Sequence, residues 1–163
     1  MNSTLSLYRR LSALPGGRRL FTAAFCRRAP YFASAHLGVQ AMATHYGEVT
    51  VPLRRSTQNH LGTVHAIAVC NGLEAAMGLL AEATVPPGMR WLPKGMEVEY
   101  LAAADSEVTC VAESTTADWD GAPDVPVAVT ATREDGTVVV RGIIRLWVTP
   151  VPGGSSARKR AGR

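Results

Sequence analysis

Five polar side chains stand in or beside a long apolar run: Asn59, His60, His65, Asn71 and Glu74. A carboxylate in an apolar stretch is costly unless it is paired, hydrogen-bonded or protonated. Desolvation would raise the pKa of Glu74, which suits a general base or a nucleophile. Asn59, His60 and His65 lie at or just before the start of a predicted helix over 63–83, where free N–H groups and the helix dipole can stabilise an oxyanion. A carboxylate plus an oxyanion hole is a minimal apparatus for acyl transfer or thioester hydrolysis.

Spacing constrains that apparatus. Glu74 follows His65 by nine positions, and at about 100° per residue the two fall on opposite helix faces. They are not expected to pair within one subunit. A site shared between two subunits could take one face from each.

The elements that must position these residues can be read along the chain. Residues 3–14 and 17–28 read as two short helices around Pro15-Gly16-Gly17, and Pro30 ends the second. Residues 35–44 and 48–55 read as strands with His45-Tyr46-Gly47 as the turn, and 56–62 as a polar loop. The helix over 63–83 has Thr63 as its expected N-cap, and Ile67, Val69, Cys70, Leu73, Ala76, Met77 and Leu80 around most of its circumference. Pro86-Pro87-Gly88 stops it. Strands are expected over 94–103, 106–117, 125–134 and 137–148, the last two flanking Asp135-Gly136, a hairpin signal. One all-apolar helix among six strands calls for an α+β fold in which a curved antiparallel sheet grips a central helix. An open sheet edge then invites a second copy of the chain. The domain reading is helices over 1–34 packed on a domain at 35–149, followed by a disordered basic tail at 150–163.

Charge is segregated. Residues 1–47 hold six Arg and no acid, residues 48–150 hold seven basic residues against thirteen acids, and the last thirteen residues carry +4. A nucleic-acid binder would need a basic face on its body, so no nucleic-acid partner is expected. The Arg-rich start reads first as domain-packing helices; a mitochondrial presequence and a membrane-surface helix are the alternatives. No run of eighteen apolar residues occurs, so no stable membrane insertion is expected. Cys26, Cys70 and Cys110 are distant and odd in number, which points to reduced thiols in a cytoplasmic protein and to no metal site.

The segment N-H-L-G-T-V-H-A-I-A-V-C-N-G-L-E, residues 59–74, resembles the hotdog-fold thioesterases of the phenylacetic-acid-degradation (PaaI) type. Asn59, Gly62, His65 and Glu74 stand at that family's spacing. From about Leu5 to Val148 the chain is similar to a bacterial domain-of-unknown-function branch of the superfamily, through G-R-R-L-F, A-P-Y, G-M-R-W-L-P-K-G-M and V-E-Y-L. The resemblance implies a hotdog fold, an acyl-CoA substrate with no separate cofactor, and a homodimer or homotetramer with the site at a subunit interface. It implies that Asn59 polarises the thioester carbonyl and that the Ala66 N–H donates to the oxyanion. His65 would orient the loop or touch the thioester, and Glu74 would be nucleophile or base. Gly62 and Asn71 would complete the binding site. Arg54, Arg55, Arg90 and Lys94 are candidates for coenzyme A phosphates, and Trp91 and Met96 for an acyl pocket. The family's Gly-Gly after the His is Ala66-Ile67 here. That departure keeps open a non-catalytic acyl-CoA binder; behind it stands a hotdog hydratase or dehydratase, which shares the use of a His and an acid.

Overall fold

The computed structural model describes residues 3–116, 119, 121 and 124–152. The chain folds into helices α1 (Ser3–Ser12) and α2 (Gly17–Arg28), a 3₁₀ turn (Pro30–Ala35), strands β1 (Gly38–Ala43) and β2 (Tyr46–Val51), helix α3 (Ala66–Thr84), and strands β3 (Met89–Tyr100), β4 (Val108–Glu113), β5 (Val125–Arg133) and β6 (Val138–Pro150). One antiparallel sheet runs in the order β1-β2-β4-β5-β6-β3. The expected α+β architecture, a sheet wrapped on one central helix, is what forms.

Helix α3 is long and apolar enough to cross a membrane by length and composition, but 67% of its apolar window is buried inside the fold. The sheet supplies the apolar surroundings that a bilayer otherwise would. Leu73, Met77, Leu79 and Leu80 are fully enclosed, each worth roughly 1.5–3 kcal/mol of transfer free energy. The side turned away from β2 and β4 is less covered. Ile67, expected in the core, is 55% exposed, and Cys70 and Glu74 are half-buried.

Four local expectations are corrected. The helix starts at Ala66, so Thr63 is not its cap; His65 is, and its Nδ1 accepts from the Ile67 N–H at 3.1 Å. β1 begins only at Gly38, because Pro30 starts a 3₁₀ turn that runs through Ala35. The β1–β2 turn is Thr44-His45, with Ala43 paired to Tyr46. His45 itself takes the left-handed conformation (φ 62°), so Gly47 is free for another task. A Cβ on Gly47 would lie 2.0 Å from the Ala76 carbonyl oxygen; the glycine lets β2 touch α3. Finally, β3 begins at Met89 and runs straight through Pro93, which an edge strand with a register shift between Pro93 and Gly95 tolerates.

The two sheet edges are finished differently. On β1, the Val39 N–H donates to Thr22 Oγ1 at 3.0 Å and the Gln40 carbonyl accepts from the Tyr8 hydroxyl at 3.0 Å, so α1 and α2 mask that edge. Among the described residues β3 pairs only with β6. The expected tail at 150–163 lies outside the described residues from 153 onward.

Candidate active site at the start of the central helix

The segment before α3 is a small hairpin. Gln58 bridges to Val64, the Asn59 N–H donates to the Thr63 carbonyl at 2.9 Å, and the His65 N–H donates to the Thr57 carbonyl at 2.7 Å. Asn59 organises the tip: its Oδ1 accepts from the Leu61 and Thr63 N–H groups, and its Nδ2 donates to Thr63 Oγ1 at 2.9 Å. Gly62 closes the tip at φ 81°, a conformation that favours glycine. Buried Thr57 anchors the base, its hydroxyl lying 2.7 Å from the Pro52 carbonyl.

This hairpin aims the first turn of α3. The Ile67 N–H goes to His65 Nδ1, and the Ala68 and Val69 N–H groups go to the His65 carbonyl. The Ala66 N–H has no acceptor among the described residues and is the free donor at the helix start. Because His65 Nδ1 accepts a hydrogen bond, the neutral ring carries its proton on Nε2, on an exposed side chain.

A cavity of about 300 Å³ opens beside this turn, lined by Tyr31, Ser34, Gln58, His65, Ile67 and Asn71 among others. Asn71 is buried; its Nδ2 donates to Ser34 Oγ at 3.3 Å while its Oδ1 has no partner. Ser34 spends its one proton on the Tyr31 carbonyl at 2.7 Å, which fixes the amide with its oxygen as the orphan acceptor.

Glu74 sits elsewhere. It lines a separate hollow of about 240 Å³ with Pro93, Lys94, Gly95, Met96 and Ile144, against the irregular stretch of β3. It makes no hydrogen bond or ion pair among the described residues. One turn earlier on the helix, Cys70 Sγ lies 3.7 Å from the Tyr100 hydroxyl. That contact, with some burial, pushes the Tyr100 pKa up. Burial does the same to the Cys110 thiol behind the helix.

One chain therefore gathers Asn59, Gly62, His65, Ala66 and Asn71 at one end of α3, and Glu74, Lys94 and Met96 at a second hollow. Arg54 and Arg55 are exposed in the turn before Thr57. Arg90 and Trp91 lie at the opposite end of α3, on a cavity of about 680 Å³, where the Trp91 indole donates to Glu82 at 3.2 Å and Arg90 to Thr149 at 3.3 Å. Among the described residues no group of three or more His, Cys, Asp or Glu is placed to hold a metal ion. Sequence reasoning passed over Tyr31, Ser34 and Thr57; Pro30 at the first position of a helical turn was the available signal for the first two.

The comparisons agree with this architecture. A family model described as a domain of unknown function, DUF4442, matches residues 17–148. A structural-genomics crystal structure (genomics APC5556) is 38% identical and superposes with a TM-score of 0.80 over 91% of this chain and 99% of its own. A thioesterase family protein from Silicibacter pomeroyi is 20% identical, with a TM-score of 0.67 over 77% of this chain and 93% of its own. A thioesterase from Haemophilus influenzae is 15% identical, with a TM-score of 0.67 over 77% of this chain and 87% of its own. At these lower identities the likeness is one of fold. No curated protein matches this chain.

Proposed function

The chain belongs to the DUF4442 family, with a hotdog fold of the thioesterase-like kind, and we propose that it hydrolyses acyl-CoA thioesters at a site completed between two copies of itself. The observation that carries this reading is the Ala66 N–H, without an acceptor among the described residues, at a capped helix start whose His65 and Ile67 line a cavity.

In the proposed reaction the Glu74 carboxylate takes a proton from water, and the oxygen attacks the thioester carbonyl carbon. The Ala66 N–H receives the oxyanion, and the second amide hydrogen of Asn59, the one not given to Thr63, polarises the same carbonyl. The C–S bond then breaks and the departing thiolate takes up the proton. His65 holds the first turn through Nδ1 and presents Nε2–H to the substrate. Coenzyme A is a part of the substrate and no cofactor is required. Arg54, Arg55 and Lys94 are the cations this reading assigns to its phosphates. Arg90 and Trp91 border the far end of the helix and belong to a different surface.

The separation of Glu74 from Ala66 within one chain supports a shared site. So does the outer edge of β3, which has no strand partner among the described residues and adjoins the Glu74 hollow. A homodimer joined along β3, alone or doubled into a tetramer, would bring a second chain to that hollow. The three free cysteines fit a cytoplasmic setting.

A second reading, an acyl-CoA binder without turnover, is favoured by one observation. Ile67 lines the cavity with a branched side chain where the resembled family has glycine. Thiol release from a panel of acyl-CoAs, aliphatic and aromatic, separates the two. Turnover that disappears in Glu74→Gln upholds hydrolysis, whereas saturable binding with no thiol release from any substrate replaces it with the binder.

A further inference from the structure

We propose that the outer face of the α1–α2 pair docks on an anionic lipid surface. Each helix buries part of its apolar side chains against the fold and leaves others exposed. In α1, Leu5 and Tyr8 turn inward; in α2, Phe21 and Phe25 do. The opposite faces carry Leu7 and Arg10 on α1, and Arg19, Leu20 and Arg27 on α2, all exposed. Leu14, in the turn between them, is exposed as well. Leu7, Leu14 and Leu20 are 45%, 58% and 61% exposed.

The charge carried by this segment is of one sign, and the acid of the body that bonds to it is Glu82, which accepts from the Thr4 hydroxyl at 3.0 Å. All six Arg of residues 1–47 are exposed, no acid lies in that segment, and none of the six forms an ion pair among the described residues. The body beyond it carries −6. Guanidinium groups match headgroup phosphates, and the leucines enter the interface between headgroup and acyl chain. A nucleic acid would satisfy the arginines but leave the leucines idle. A second copy using the same face would set arginines against arginines. Helices of 10 and 12 residues are too short to span a bilayer, so the contact is peripheral. It does not depend on the proposed hydrolysis.

The test is co-sedimentation of the full chain with phosphatidylcholine vesicles, with and without about 30% phosphatidylglycerol, at two salt concentrations. The chain is expected to pellet only with the anionic vesicles, and less at high salt. Each basic residue near such a surface is worth roughly fivefold in partition. Arg10→Glu/Arg19→Glu/Arg27→Glu should therefore lose at least about a hundredfold. Leu7→Ser/Leu14→Ser/Leu20→Ser should lose severalfold with unchanged Tm, since these side chains are exposed. Equal pelleting of either triple variant, or none of the parent chain, overturns the proposal. So does a change in particle mass by light scattering in the leucine variant, which would make the face a subunit interface.

Discussion

The two faces of α3 are built to different tolerances. Toward β2 and β4 the helix is in backbone contact with the sheet: Gly47 admits the Ala76 carbonyl, and Gly72 leaves room for Val51 and the Cys110 sulfur, which a Cβ there would meet at 2.6 and 2.7 Å. Toward β6 and β3 the helix carries Cys70 and Glu74, and toward the 3₁₀ turn Ile67, none of them fully enclosed. The first face has no slack and is the scaffold. The second keeps its polar and reactive groups accessible, next to the outer edge of β3. If the proposed reaction holds, stability and chemistry are carried by opposite sides of one helix, and substitutions on the two sides should separate them.

The largest effect is expected on the open face. Glu74→Gln should lower kcat/KM by about 10²- to 10⁴-fold, the range of a general base. Its Tm should not move, because Glu74 has no partner among the described residues to lose. A parallel loss of Tm would show that Glu74 is a structural acid. Ala66→Pro should cost about 10²- to 10³-fold by deleting the oxyanion donor. Proline suits the first helical position, and the preceding residue, at φ −61° and ψ 135°, already has the conformation a proline demands. Mixed oligomers of Glu74→Gln and Ala66→Pro chains should recover part of the activity. No recovery would place both groups in one chain's site and break the shared-site reading.

On the packed face the expectation reverses. Gly47→Ala places a Cβ 2.0 Å from a backbone oxygen, so helix and strand must part. Overpacking of this kind costs roughly 1–3 kcal/mol, about 3–10 °C in Tm at this size. That exceeds the strand preference of alanine over glycine, roughly 0.5–1 kcal/mol. Turnover per folded molecule should stay within about threefold, measured well below the transition. His65 belongs to both sides of the comparison. His65→Ala removes the acceptor of the Ile67 N–H, a cap worth about 1 kcal/mol. His65→Asn restores a cap acceptor and should restore Tm without restoring turnover. Recovery of both would reduce His65 to a cap.

How much of this was legible in the sequence follows the same division. The packed face was readable: the apolar period of α3, its stop at Pro86-Pro87, the two helices around Pro15 and the six strands are local signals, and all appear. The open face was not. Periodicity told that α3 is apolar nearly all round, but not how far the sheet reaches, so Ile67 was placed in the core. Gly47 looked like a turn residue because its reason, the Ala76 carbonyl, is remote in sequence. Arg90 as a phosphate candidate and Trp91 as an acyl-pocket candidate have no position in the sequence, because charge and aromaticity carry no address; the start of β3 puts both on a cavity at the far end of α3. His65 hid its capping role because histidine is not among the usual cap residues.

The smallest expected effect lies away from both faces of α3, at the tip joining β5 to β6, and serves as their control. The turn is Glu134-Asp135-Gly136, with Gly136 at φ 84° and Arg133 paired to Thr137 through a 2.9 Å bond. Arg133 reaches Asp135 at 2.6 Å and Asp105 at 2.9 Å. The guanidinium, helped by the Thr137 N–H, holds the Asp135 carboxyl at about 2, below its ordinary 3.8. A depressed carboxyl contributes stability that is present above about pH 4 and is lost as the pH falls toward 2. Asp135→Asn should therefore lower Tm slightly at pH 7, with the gap from the parent chain closing as the pH is taken from 5 to 2. Because this tip touches neither hollow, the variant's turnover at pH 7 should equal the parent's. An Asp135→Asn gap that persists unchanged at pH 2 would show that the hairpin is held by the turn's backbone and not by the ion pair.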